Sequence, residues 1–350
     1  MSAVQLDNQK VYLPGVRRVS WDSGEMCEFA ACFVSAMEYL GEDIPYPYVM
    51  GASGVAFRFT ILPGEWEFGN YSILIISPDP YEPIRRAFTA AGYAYTVVKP
   101  GTFQEDAARI MDSVNTGVPV LAFRVVGPSD CCIITGYDAG GEVLLGWSTY
   151  QDIPDDHNIP HDSTGYFRKP GWHDHLPGYI LMGEKVGRPS LRKVYLDALK
   201  WAVYLMRTPQ MGKNATGLRG LQVWADEMTD AQYFPTGNAE IIGWRYVSAA
   251  INMTMLRDHC LAEPFLRQAI SDVPEFHPEL ARAAECYGEV VQIRNGMDAL
   301  IADNFSEQAM QAIHDPEIRR LYAREIICIR DVEAEAVSHI ELLLERCGKY

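Results

Sequence analysis

The segment GVPVLAFRVVGPSDCCIITGYDAGGEVLLGWSTYQD, residues 117–152, alternates three apolar runs with two polar or glycine-bearing breaks. PVLAFRVV, CIITGY and EVLLGW are short and rich in aliphatic, β-branched and aromatic residues. They are separated by Gly-Pro-Ser-Asp and by Asp138-Ala139-Gly140-Gly141. This composition predicts a strand, a loop, a second strand, a tight turn and a third strand.

Outward from this segment the texture holds as far as residue 188. SILII, YTVV and GYILMG are further strand-like runs, interleaved with helical stretches, and Gly, Pro and aromatic residues are frequent. After GRPS the period changes to that of helices: LRKVYLDALKWAVYLMR, GLRGLQVWADEM, IIGWRYVSAAINMTMLRDHC, ELARAAECYGEVVQIRNGMDAL and a last run from Pro316 to Arg346. The expected fold class is therefore α+β, with a mixed domain over 1–188 and an all-helical domain over 189–350. The helices of the second half are expected to bury the faces that carry Trp201, Leu205, Trp224 and Trp244.

A chain of 350 residues is long enough for two cores. Its 30 Lys and Arg against 46 Asp and Glu give a net charge of -16, with no basic run. An acidic field repels phosphate backbones and anionic headgroups, so nucleic acid and membranes are poor partners and a small molecule or peptide is the expected one. The N-terminal residues carry no apolar core of signal-peptide length and no 18 apolar residues run together, which suggests a cytoplasmic protein. The eight cysteines are then expected as reduced thiols.

One of these cysteines has a distinctive place. In WDSGEMCEFAACFVSAMEYLG, residues 21–41, Asp22 or Ser23 can cap a helix whose apolar positions Ala30, Phe33, Val34, Met37 and Leu40 recur until Gly41. Cys27 then falls in the first turn, where unpaired N–H groups and the helix dipole favour a thiolate, while Cys32 lies in mid-helix. Cys27 is either a nucleophile or a small apolar core residue. As a nucleophile it should be alkylated by iodoacetamide before the other seven cysteines.

A loop, a Cys opening a long helix that ends in Tyr-Leu-Gly, and two strands around Gly-Tyr-Asp about a hundred residues later resemble the papain-like cysteine peptidase superfamily. The resemblance covers roughly residues 10–186. It is nearest to the bacteriocin-processing peptidases and to the N-terminal domain of the butirosin-biosynthesis acyltransferases. It implies that Cys27 is the nucleophile and that a base stands just before Gly-Tyr-Asp, where this chain has Asp130, Cys131 and Cys132. It implies a third partner after the next strand, where Trp147, Ser148, Gln151 and Asp152 stand. The glutamine that helps bind the oxyanion in the family is replaced here by Trp21, Asp22 and Ser23.

A cysteine nucleophile needs a base of near-neutral pKa, for which imidazole is suited and a second thiol is not. The segment QDIPDDHNIPHDSTGYFRKPGWHDH offers His157, His161, His173 and His175 on what reads as an acidic loop. MLRDHCLAEPFLR offers His259 beside Arg257 and Cys260. A redox pairing of Cys27 with Cys131 or Cys132, or a soft metal held by all three, lacks any CxxC-type spacing, so no cofactor or metal is expected. In YVMGASGVAFRFTILPGEWEFGN the alternating Phe57-Arg58-Phe59 triplet and Trp66 suit a cleft wall, with Arg58 as a carboxylate ligand, or else a bent core strand. Two functions remain open: acyl transfer or amide hydrolysis through a thioester at Cys27, and a papain-like domain without its triad that binds a small molecule or peptide. The first requires Cys131 and Cys132 to lie on a strand beside the start of the Cys27 helix.

Overall fold

A computed structural model describes residues 4–5, 10–65, 71–127, 131–151, 159–235 and 237–348. Among them the chain sorts into two compact units, residues 1–49 with 91–188, and 50–90 with 189–350. The chain therefore changes unit not only at 188/189 but also at either end of a 41-residue excursion, residues 50–90, that belongs with the helical half.

The first unit is built on an eight-stranded antiparallel sheet. The strands expected from the 117–152 segment are Val120–Phe123, Cys131–Asp138 and Val143–Trp147, with Val120 opposite Ile134 and Ile133 opposite Trp147. Cys131–Asp138 lies in the middle, with Val143–Trp147 on one edge and Val120–Phe123 followed by Val11–Tyr12 on the other. Its first seven residues are all buried, which is why CCIITGY shows no polar alternation. Gly136 is required there: a Cβ would stand 2.6 Å from the Val11 carbonyl oxygen.

Against Cys131–Asp138 and Val120–Phe123 packs the Glu28–Tyr39 helix. Every residue in it except Glu38 is buried, so it is enclosed all round rather than striped, with Glu28 and Ser35 as its buried polar positions.

The second unit carries seven helices among its residues from 189 onward: Leu191–Arg207, Gly217–Thr229, Ala239–His259, Ala262–Asp272, Glu279–Met297, Glu307–Ala312 and Pro316–Cys347. The 32-residue Pro316–Cys347 helix packs on Leu191–Arg207, Gly217–Thr229 and Glu279–Met297. The expectation of an all-helical half needs correction. Gln210–Met211 and Asn214–Thr216 form a hairpin, because Gly212 at φ 60 allows a two-residue reversal and Thr216 pairs with Thr60 of the excursion. Trp201, Leu205 and Trp224 are buried as expected, but Trp244 is 46% exposed. It stands two residues from both Ile242 and Tyr246, the buried positions of its helix, and so projects from the far face. No helix among the described residues is long and apolar enough to cross a membrane.

Candidate functional site

Cys27 is the N-cap of the Glu28–Tyr39 helix, with extended backbone at φ -81 and ψ 107. The sequence placed it one turn further in. The difference comes from Gly24, whose left-handed conformation at φ 79 closes a short 3-10 turn, Trp21–Ser23, capped by Ser20 rather than by Asp22 or Ser23. The long helix then restarts on Cys27, whose carbonyl accepts from Ala31 N at 2.9 Å. The Cys27 N–H donates to the Tyr46 hydroxyl at 2.9 Å, and its side chain makes no capping bond. Cys27 is 1% exposed, whereas Cys260, Cys328 and Cys347 are half-buried. Access alone would therefore put these three ahead of Cys27 in alkylation, contrary to the sequence expectation.

The strand bearing Cys131 and Cys132 begins against the second turn of the helix that follows Cys27. Cys32 Sγ donates to the Cys131 carbonyl at 3.2 Å, joining the second turn of the helix to the strand's first residue. Burial pushes the Cys32 thiol well above its ordinary value, and Cys131 and Cys132 beside it add to the shift. Cys32 is thus a core thiol, as its mid-helix place suggests.

The residues after the third strand are brought together, but as a structural knot. Ser148 Oγ and Cys132 Sγ both donate to the Val126 carbonyl, at 3.4 and 3.5 Å. Gln151 Oε1 accepts from Ser148 N at 3.1 Å while its Nε2 donates to Gly165 O at 3.2 Å. Trp147 Nε1 donates to Val16 O at 3.0 Å. These bonds tie three loops to the sheet end and commit the side-chain donors of Ser148, Gln151 and Trp147 to backbone carbonyls.

Among the described histidines of this unit, His161 Nε2 meets the Gln151 carbonyl at 3.3 Å and His173 Nε2 meets Asp106 at 3.0 Å. Asp106 is fully buried and also accepts from Tyr179 Oη at 2.7 Å and Gly101 N at 2.8 Å. Burial opposes its charge, yet the Tyr179 and His173 bonds hold its pKa below the usual carboxylate range. No local pattern marks this cluster, because Asp106 looks like an ordinary acid in the first turn of a helix and its two ring partners lie 67 and 73 residues away. Asp130, Asp152, Asp155, Asp156, His157 and Trp66 lie outside the described residues.

Arg58 and His259 meet in the second unit, and neither side chain is exposed. Arg58 Nη2 pairs with Asp258 at 3.1 Å, Nη1 donates to Tyr71 O at 2.5 Å, and the guanidinium lies 4.5 Å from the Tyr71 ring centroid. His259 Nε2 meets the Arg58 carbonyl at 2.6 Å and its Nδ1 meets Glu333 at 2.5 Å. With both nitrogens engaged and the ring at 0% exposure, His259 is a core group, not a base reaching into a cleft. Arg58 is likewise an internal counter-ion, so the core alternative for the Phe57-Arg58-Phe59 triplet holds. Burial pushes the Asp258 carboxyl up to about 6 although Arg58 draws it down. Burial also opposes an imidazolium at His259, but the Glu333 carboxylate outweighs it and raises the histidine above its ordinary value.

The sign of the resulting pH effect follows from linkage. A histidine whose folded pKa is raised contributes stability that is full below its unfolded pKa, about 6.5, and is lost as pH climbs through the folded value. Thermal denaturation of the wild type should therefore show a Tm that falls as pH rises above about 6.5. In Glu333→Gln, which removes the charge that raises His259, this slope should flatten. Equal slopes in the two proteins would show that the pair does not couple protonation to folding.

Among the described residues no group of three or more His, Cys, Asp or Glu side chains is placed to hold a metal ion. Neither the models of known protein families nor the curated proteins contain a match to this chain.

Proposed function

We propose that the first unit is a papain-like cysteine domain and that Cys27 performs acyl transfer or amide hydrolysis through a thioester, on a small-molecule or peptide-like substrate. The observation that supports this most is the place of Cys27, at the cap of a buried helix packed on the central strand that begins with Cys131 and Cys132. N–H groups at a helix end stabilise a thiolate there without help from a neighbouring cation.

In the reaction Cys27 Sγ bonds to the acyl carbon of R–CO–X, the C–X bond breaks, and HX leaves with the thiol's proton. Water or an amine then attacks the thioester, its own proton returns to sulfur, and the acid or amide departs. The test is turnover of an acyl thioester such as acetyl-N-acetylcysteamine, with water or a primary amine as acceptor. Cys27→Ser should fall to the uncatalysed background, whereas Cys286→Ser, in the other unit, should keep the wild-type rate. A Cys27→Ser protein that turns over normally would remove the nucleophile.

A second reading, a binding module without turnover, draws support from one finding. Ser148, Gln151 and Trp147 are committed to backbone carbonyls, so the positions that carry the third catalytic partner in the family serve the scaffold here.

A further inference from the structure

We infer that the second unit carries a binding site for a planar aromatic carboxylate, in the groove beside the Gln210–Thr216 hairpin. The site lies wholly within that unit and does not depend on a thioester at Cys27. The groove has a volume of about 750 Å³, a size that suits a small molecule. Leu62, Ile75, Pro78 and Met211 give it apolar sides, Tyr204 an aromatic surface, and Lys213 and Asn214 a polar one.

The aromatic surface is held in place from behind. Tyr204 stacks on Trp201, with ring centroids 5.0 Å apart and planes 12° from parallel. Trp201 is fixed in turn: its Nε1 donates to the Ser53 carbonyl at 3.2 Å, and the Arg86 guanidinium stands 4.6 Å from its ring centroid. Gly54 makes room for the indole, since a Cβ there would come within 2.3 Å of it. One face of the Tyr204 ring is thus covered, yet the residue is 41% exposed and lines the groove, so the other face is available to a second ring.

The charge of the groove selects the ligand's other end. Lys213 makes no ion pair among the described residues, whereas Arg85, Lys193 and Arg207 of the same unit each hold a carboxylate. The hairpin that presents it is fixed by Gly212 at φ 60, by Gln210 Nε2 donating to Gly212 O at 2.9 Å, and by Thr216 Oγ1 donating to Thr208 O at 2.6 Å. Asn214, half-buried, has a side-chain amide that makes no hydrogen bond among the described residues. An ammonium and an amide N–H from one hairpin supply donors for the two oxygens of a carboxylate. Among the described residues that line the groove, Lys213 is the one cation, which matches a monoanion. A phosphate ester brings a second negative charge, which meets no counter-ion there and is repelled by a chain of net charge -16.

The experiment is isothermal titration calorimetry of the full chain with β-naphthoate and with β-naphthamide, its uncharged counterpart. The wild type should bind β-naphthoate saturably with a Kd of about 1 mM or below, and β-naphthamide about tenfold more weakly. Lys213→Gln should weaken β-naphthoate about tenfold and leave β-naphthamide unchanged, because only the carboxylate meets the lysine. Tyr204→Leu should weaken both, because both stack on the ring. Lys200→Gln removes another exposed lysine, one that does not line the groove, and should change neither. The proposal is overturned if the wild type shows no saturable binding of β-naphthoate, or if Lys213→Gln binds it as tightly as the wild type. It is overturned equally if Lys200→Gln loses as much affinity as Lys213→Gln, which would mark a general effect of charge.

Discussion

Replacing Arg58 by methionine should destabilise the protein by about 3–5 kcal/mol, the range found when one partner of a buried ion pair is removed. The Asp258 carboxylate is 1% exposed and loses its counter-ion, the Tyr71 carbonyl loses its donor, and the cation over the Tyr71 ring disappears. Methionine fills most of the volume, so the loss is chiefly electrostatic. It should also depend on pH, because the Asp258 carboxyl already sits at about 6. Without Arg58 it will carry a proton at mildly acid pH and shed most of the cost, whereas at alkaline pH the bare charge must be tolerated or the unit must open. Urea denaturation on both sides of neutrality measures this. A variant within 1 kcal/mol of wild type at both pH values would mean that the pair contributes nothing net.

The second large effect is expected at the neighbouring residue. Phe57 is 0% exposed and stands edge-on to Phe265 and Tyr287, with ring centroids 6.1 and 5.6 Å away. Phe57→Ala removes the ring from between three segments distant in sequence, and the void cannot close without moving the Ala262–Asp272 and Glu279–Met297 helices. The cost should be about 3–5 kcal/mol, against about 1 kcal/mol or less for Phe57→Leu if the aliphatic side chain repacks. A drop in Tm for Phe57→Ala no larger than that for Phe57→Leu would show that the site collapses freely.

These two residues also mark where sequence reasoning stopped. Three strands were legible in 117–152 because apolar runs bounded by Gly-Pro and Gly-Gly have few other uses, and the helix after Cys27 was legible from its spacing. The 50–90 excursion was not. What ties it to the helical half is Arg58 meeting Asp258 and His259, 200 and 201 residues away, and no local pattern announces such a partner. The hairpin at Gln210–Thr216 was missed because two- and three-residue strands carry no period. The Cys27 helix start was misplaced by about one turn because Gly24 reads locally like any loop glycine, and only its φ shows that it closes a separate turn.

The site was legible to a similar depth. The position of Cys27 at a helix end and the strand beginning at Cys131 follow from local pattern and from the family resemblance. The fates of Ser148, Gln151 and Trp147 do not, since each is decided by a backbone carbonyl brought in by the fold. His259 illustrates the same limit. A histidine beside an arginine and a cysteine invites a catalytic role, and the two contacts that decide otherwise come from Glu333 and the Arg58 carbonyl. Tyr46, which the sequence did not single out, touches the Cys27 amide directly.

The central claim is that Cys27 forms a thioester, and the most direct measurement is the mass of the protein after brief exposure to an acyl thioester, quenched in acid and mapped by peptide. One acyl group on the peptide bearing Cys27, absent from Cys27→Ser and discharged by added amine, is the expected result. An adduct confined to Cys260, Cys328 or Cys347, or none at all on a folded protein, would contradict it.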